Sequence, residues 1–139
     1  MLFRSANIDE YNRNAEKKLY RIVFACDEIA EVLDKTGLSK QQKDEILKIE
    51  SELSIIARQG RAFGIHLVLA TQRPDATILN GQIRNNIDTR ICGRADNVLS
   101  QIILDNTDAS DKIAKSSQGR FLTNSGKIFQ AYWFDENIL

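Results

Sequence analysis

The chain has 139 residues, 27% of them charged and 42% hydrophobic, which is enough for a self-supporting core and ordinary for a soluble globular chain. Its 19 Lys and Arg balance 19 Asp and Glu, so no global basic field marks it as a protein that coats nucleic acid. Two cysteines in apolar runs, Cys26 and Cys92, exclude a disulfide framework or a cysteine metal site, and no stretch has the length of a membrane span or a signal peptide; a reducing cytoplasmic setting is expected.

A short helix is expected over residues 8–18, then a strand over 20–26. A helix opens at Asp27 and runs to about Leu33. Thr36-Gly37-Leu38-Ser39 breaks the chain, with Ser39 placed to cap a long helix reaching about Gln59. In that helix Ile46, Ile49, Leu53 and Ile56 keep a 3, 4, 3 spacing and make one apolar face. Gly60 is expected to end it. A second strand follows over 65–71, with Pro74 closing the segment. His66, the single histidine, begins that strand and receives no chemical role. A helix over 80–86, a strand over 88–93 and helices over 96–105 and 108–115 come next. The terminal GRFLTNSGKIFQAYWF alternates about Asn124-Ser125-Gly126 as a β-hairpin. There are no internal repeats and no low-complexity linkers.

Two segments carry the chemistry. Tyr20 to Glu28 reads YRIVFACDE, an apolar β-prone run ending in two acids. Ile22, Val23, Phe24 and Ala25 form the kind of short continuous run that lies buried on both faces of a parallel sheet. In open α/β sheets ligands bind beyond the carboxyl ends of strands, which aims Asp27 at a ligand crevice. Nucleotide hydrolases use such an Asp-Glu pair to hold magnesium and polarise water. Asp27 is the candidate magnesium holder, through water, and Glu28 the candidate general base. The same pattern also fits an ordinary strand followed by an acidic helix start. The second segment, GIHLVLATQRP from Gly64 to Pro74, is another buried-type strand ending in Thr71, Gln72 and Arg73.

From Ile56 to Ile91 the sequence IARQGRAFGIHLVLATQRPDATILNGQIRNNIDTRI resembles the sensor region of FtsK/SpoIIIE DNA translocases, within the HerA/FtsK group of ring ATPases. The likeness starts at Asn7-Ile8-Asp9-Glu10-Tyr11-Asn12 and continues more weakly to the C-terminus; its specific part is Gly60 to Pro74. The resemblance implies an α/β fold, a partial RecA-like P-loop NTPase fold with a mostly parallel sheet flanked by helices and a C-terminal hairpin. It implies ATP and Mg2+ as cofactors, DNA as partner and a hexameric ring for the intact motor. Asp27 and Glu28 match the Walker B pair, Gln72 the γ-phosphate sensor, and Arg61 an arginine finger acting on the neighbouring subunit's nucleotide. Arg73 is a rival for either of the last two roles, and Arg61 equally suits a solvated arginine past a helix end.

No G-x-x-x-x-G-K-[ST] occurs in these residues. Gly126-Lys127 is followed by Ile128 and belongs to the hairpin. Residues 1–139 are therefore expected to be the C-terminal half of a motor domain, cut or naturally truncated, with the missing N-terminal half as a partner and any membrane anchor elsewhere. Alone they are expected to bind ATP weakly or not at all and to lack ATPase activity. A non-hydrolysing interaction module and a secretion motor acting on protein are the alternatives. The family's serine-arginine pair is here Ser100-Gln101, and its glycine-rich GMGDM stretch is replaced by residues 116–121, which points to a divergent member. A ring motor needs only a few pore-facing cations; Lys35, Lys40 and Lys43 are the candidates for DNA phosphates, with Lys48 nearby. They also fit a solvated helix face. Without the P-loop strand, the sensor strand and the next strand are each expected to keep an unpaired edge, which favours oligomers of the isolated chain.

Overall fold

The computed structural model describes residues 5–72 and 81–132. They fall into two compact units, residues 5–72 with 81–87, and residues 88–132.

The first unit holds α1 (Ile8–Asn14), β1 (Ile22–Cys26), α2 (Ile29–Leu33), α3 (Lys40–Phe63), β2 (Ile65–Leu69) and α4 (Gly81–Asn85). β1 and β2 pair in parallel, Ile22 opposite Ile65 through Cys26 opposite Leu69. Ile29, Leu33, Leu53 and Ile83 form the core, with Cys26, Ile46, Leu67, Leu69 and Ile87 packed against it. The other side of the sheet carries Val23 and Val68, 63% and 55% exposed. Here β1 departs from expectation, since Ile22 and Phe24 are also exposed. The apolar run fits a two-faced burial, but among the described residues β2 is the sole strand beside it.

The local chemistry explains the element ends. α1 stops at Asn14, short of residue 18, because Asn12 accepts from the Leu19 amide and donates to the Leu19 carbonyl, turning the chain towards β1. α2 starts at Ile29 with Glu28 as its cap, so Asp27 stays outside the helix. Ser39 caps α3 with a complete capping box, reciprocated by Gln42. Gly60 does not end α3; the helix runs to Phe63 and ends at Gly64, whose φ of 74° is left-handed. Gly60 is instead a point of close approach, where an added Cβ would lie 2.8 Å from the Ile65 carbonyl oxygen.

The buried face of α3 also differs from the 46, 49, 53, 56 stripe. Glu50, Leu53 and Gly60 are buried, whereas Ile49 is 42% exposed. Glu50 takes the inward position because Lys35 reaches it, Nζ to Oε1 at 2.7 Å.

The second unit holds β3 (Ile91–Cys92), α5 (Asn97–Leu104), α6 (Asp108–Lys112), β4 (Arg120–Thr123) and β5 (Ile128–Gln130). The strands form an antiparallel sheet in the order β3-β4-β5. The hairpin is as expected, turning at Gly126 with φ 84° and stacking Phe121 on Phe129 at 5.7 Å. The strand expected over 88–93 shortens to two residues, because Arg90 and Asp88 bond the Asn124 side chain instead of extending a ladder. β3 pairs with β4, not with β2. Cys92, Leu104, Ala109, Ile113 and Leu122 make this unit's core, and the Ser100 hydroxyl sits fully buried, donating to Asn106 and accepting from Ala109.

Candidate functional site

The parallel register of β1 and β2 brings both strand ends to one edge. Two backbone bonds hold that edge together: Ala70 N–H donates to the Cys26 carbonyl at 2.8 Å, and Ile29 N–H donates to the Ala70 carbonyl at 2.9 Å. The chain leaving β1 is thereby stitched to the chain leaving β2, and the next side chains meet.

Glu28 lies at the centre of this junction. Its Oε1 accepts from the Ala30 amide at 3.2 Å, capping α2, and from the Thr71 hydroxyl in a short hydrogen bond. Its Oε2 accepts from the Gln72 amide at 2.8 Å. Among the described residues, three donors, one in α2 and two in the chain leaving β2, thus fix one half-buried carboxylate. Asp27 precedes it and is exposed. Gln72 is exposed beyond β2. The structure thus brings Asp27, Glu28 and Gln72 together. Thr71 joins them, a residue to which sequence reasoning gave no role, although a hydroxyl at the end of an apolar strand was a visible signal.

Arg61 is elsewhere. It lies in the last turn of α3, exposed, next to the start of β2. The five residues of β2 separate it from the Glu28 edge. At 3.3 Å per residue that is about 16 Å, beyond the reach of an arginine side chain. Arg61 lines an open groove of about 820 Å³ with Arg21, Arg58, His66, Asn7 and Asp9. Arg21 and Asp9 are paired there at 2.6 Å. Arg73 falls outside the described residues.

The three candidate lysines divide. Lys35 is committed to the buried Glu50, while Lys40 and Lys43 are exposed in the first turns of α3. Among the described residues no cluster of three or more His, Cys, Asp or Glu is arranged to hold a metal, and no helix is long and apolar enough to cross a membrane.

No family model matches the chain. The chain is 33% identical over 124 residues to DNA translocase FtsK of Chlorobaculum tepidum, which covers 88% of this chain. It is 36% identical over 112 residues to DNA translocase FtsK of Chlamydia trachomatis, which covers 78%. Among solved structures, the pCW3 conjugation coupling protein TcpA, in a monomer form with ATPγS, superposes with a TM-score of 0.87 at 42% identity over 96% of this chain. The chain belongs to the FtsK/SpoIIIE family. It spans 14% and 13% of those two FtsK relatives and 39% of the TcpA chain. The cytoplasmic domain of the Thermomonospora curvata type VII secretion ATPase EccC, 22% identical with a TM-score of 0.70, shares the fold. This FtsK/SpoIIIE-family chain is therefore a mixed α/β protein with a parallel sheet, flanking helices and a C-terminal antiparallel hairpin.

Proposed function

We propose that residues 1–139 are the C-terminal part of an ATP-driven DNA translocase motor, from the Walker B strand onward, working in a homo-oligomeric ring. The observation that carries this is the meeting of Asp27, Glu28 and Gln72 at the carboxyl ends of two adjacent parallel strands in a chain related to FtsK. The names of the relatives favour DNA as cargo: a DNA translocase and a conjugation coupling protein.

The residues fit magnesium and nucleotide. One exposed carboxylate, Asp27, beside a fixed one, Glu28, is the donor set that magnesium uses when phosphates and waters complete its shell, and it needs no three-residue cage. Bound magnesium neutralises charge that develops on the phosphates. Asp27 orients that ion through water. Glu28 accepts the proton of the attacking water. Gln72 presents its side-chain amide to the γ-phosphate. Arg61, on the far edge of the sheet, serves the nucleotide of the next copy and never its own. Phosphate cradling comes from outside these residues, because the sequence holds no P-loop. That same lack favours, for the isolated chain, a second reading as a non-hydrolysing interaction module.

ATP hydrolysis by the full-length protein, with and without double-stranded DNA, tests the proposal. Glu28→Gln is expected to lower DNA-stimulated turnover by roughly 10² or more while ATP still binds. Turnover that survives Glu28→Gln refutes the base assignment, and a motor indifferent to DNA refutes the cargo. Purified residues 1–139 are expected to show no appreciable ATPase activity.

A further inference from the structure

Three features lie beyond the roles assigned so far. The groove at the start of β2 belongs to the Arg61 reading, and nothing among the described residues indicates what covers the exposed face of β1 and β2. The junction that holds Glu28 goes further.

We propose that Thr71 is a positioning residue for Glu28, and that the pair couples the general base to the exit of the sensor strand. This rests on Glu28 acting as the base. A carboxylate on a flexible side chain samples several rotamers, and the work of a base depends on being aimed at one water. Among the described residues three donors set the aim: Ala30 N–H at 3.2 Å, the Thr71 hydroxyl, and Gln72 N–H at 2.8 Å. The first belongs to Glu28's own helix. The other two belong to β2's exit, 43 and 44 residues away in sequence. Glu28 therefore follows both strands. A displacement of the Thr71–Gln72 segment, the segment that carries the candidate phosphate sensor, moves or releases the carboxylate without any direct contact between Glu28 and the phosphate.

Among the described residues, Thr71 is the donor beyond β2 that acts through a side chain and can be removed by substitution. Thr71→Val keeps the branched shape and deletes the donor. Thr71→Ser keeps the donor and deletes a methyl group. The difference between the two isolates the hydrogen bond from packing.

The experiment is steady-state ATP hydrolysis by the full-length protein carrying Thr71→Val, Thr71→Ser, Glu28→Gln, and Thr71→Val with Glu28→Gln. Thr71→Val is expected to lower kcat by about 10²-fold, the cost of misplacing a reacting group by about 1 Å, with KM for ATP nearly unchanged. Thr71→Ser is expected to retain most of kcat. The double variant is expected to be no slower than Glu28→Gln alone, because groups acting as a unit are not additive. In parallel, hydrogen exchange on residues 1–139 is expected to show faster exchange of the Gln72 amide in Thr71→Val than in Thr71→Ser. Equal kcat for Thr71→Val and wild type, or a further loss in the double variant, overturns the positioning role. Normal turnover in Glu28→Gln overturns the underlying base assignment instead, so the two failures are told apart.

Discussion

Lys35 offers a sharp test of how this chain uses its cations. Its ammonium lies 2.7 Å from Glu50, and the two side chains are 30% and 7% exposed. Removing the lysine strands a carboxylate inside the first unit. Breaking a fully buried pair costs about 3–5 kcal/mol. Water reaches the lysine end here, so about 2 kcal/mol is the better expectation for Lys35→Ala. At about 4 °C per kcal/mol, a chain of this size should lose about 8 °C in Tm. Replacing both partners, Lys35→Met with Glu50→Leu, should recover to within about 1 kcal/mol, because an apolar pair of similar volume carries no desolvation penalty. Urea unfolding of residues 1–139 followed by circular dichroism measures both, provided the m-value stays constant. The reasoning extends to DNA. Lys40→Ala and Lys43→Ala should each flatten the salt dependence of DNA binding by the full-length protein, by about 0.9 in log-log slope, and Lys35→Ala should leave the slope alone. A Lys35→Ala protein that loses under about 0.5 kcal/mol, or that changes the slope as Lys40→Ala does, refutes the structural assignment.

In the intact motor, Arg61→Ala should abolish hydrolysis with ATP binding kept, and rings mixed with wild-type subunits should lose activity at each junction that presents the altered arginine; normal turnover would move the role to Arg73. Ser39→Ala removes the capping-box acceptor of α3 and should cost about 1 kcal/mol by urea unfolding. Burial raises the Cys92 thiol above its ordinary 9.0, so the folded state favours the neutral thiol. That contribution is complete below pH 9.0 and is lost as pH rises through the folded value. Thermal melts should therefore weaken above that pH, and DTNB at pH 8 should label half-buried Cys26 well before Cys92. Light scattering of residues 1–139 should show oligomers held partly by strand edges, since no described strand pairs the outer edges of β1 and β2; a strict monomer at high concentration would remove that expectation.

Much of the architecture was legible because it is written locally. Ser39 and Gln42 announce a helix start within four residues, and alternation about Asn124-Ser125-Gly126 announces a hairpin. The misreadings share a physical cause. Gly60 reads as a helix end because glycine usually punctuates, yet its role is to admit a strand carbonyl against the helix. The 46, 49, 53, 56 stripe omits Glu50 because carboxylates are seldom buried without a partner, and its partner lies 15 residues upstream. β3 joined β4 instead of a parallel neighbour, through Ile91 opposite Thr123 and Cys92 opposite Leu122, far apart in sequence. At the site, residue types pointed to Asp27 and Glu28, and the family resemblance to Gln72. The Thr71 hydroxyl was visible at a strand's end but its partner was not, since nothing in a linear chain says that it meets a carboxylate at another strand's exit.

On the proposed reading, the separation of Arg61 from Glu28 by the length of β2 gives each subunit a direction, donor at one edge and acceptor at the other. Contacts built on such a direction are head-to-tail and leave a spare edge at each end of any open row. A row of n copies completes n − 1 sites, and only closure completes the last. On the proposed reading, the fold therefore favours closed assemblies by arithmetic alone: an open stack always carries one idle base and one idle arginine, and a ring carries none.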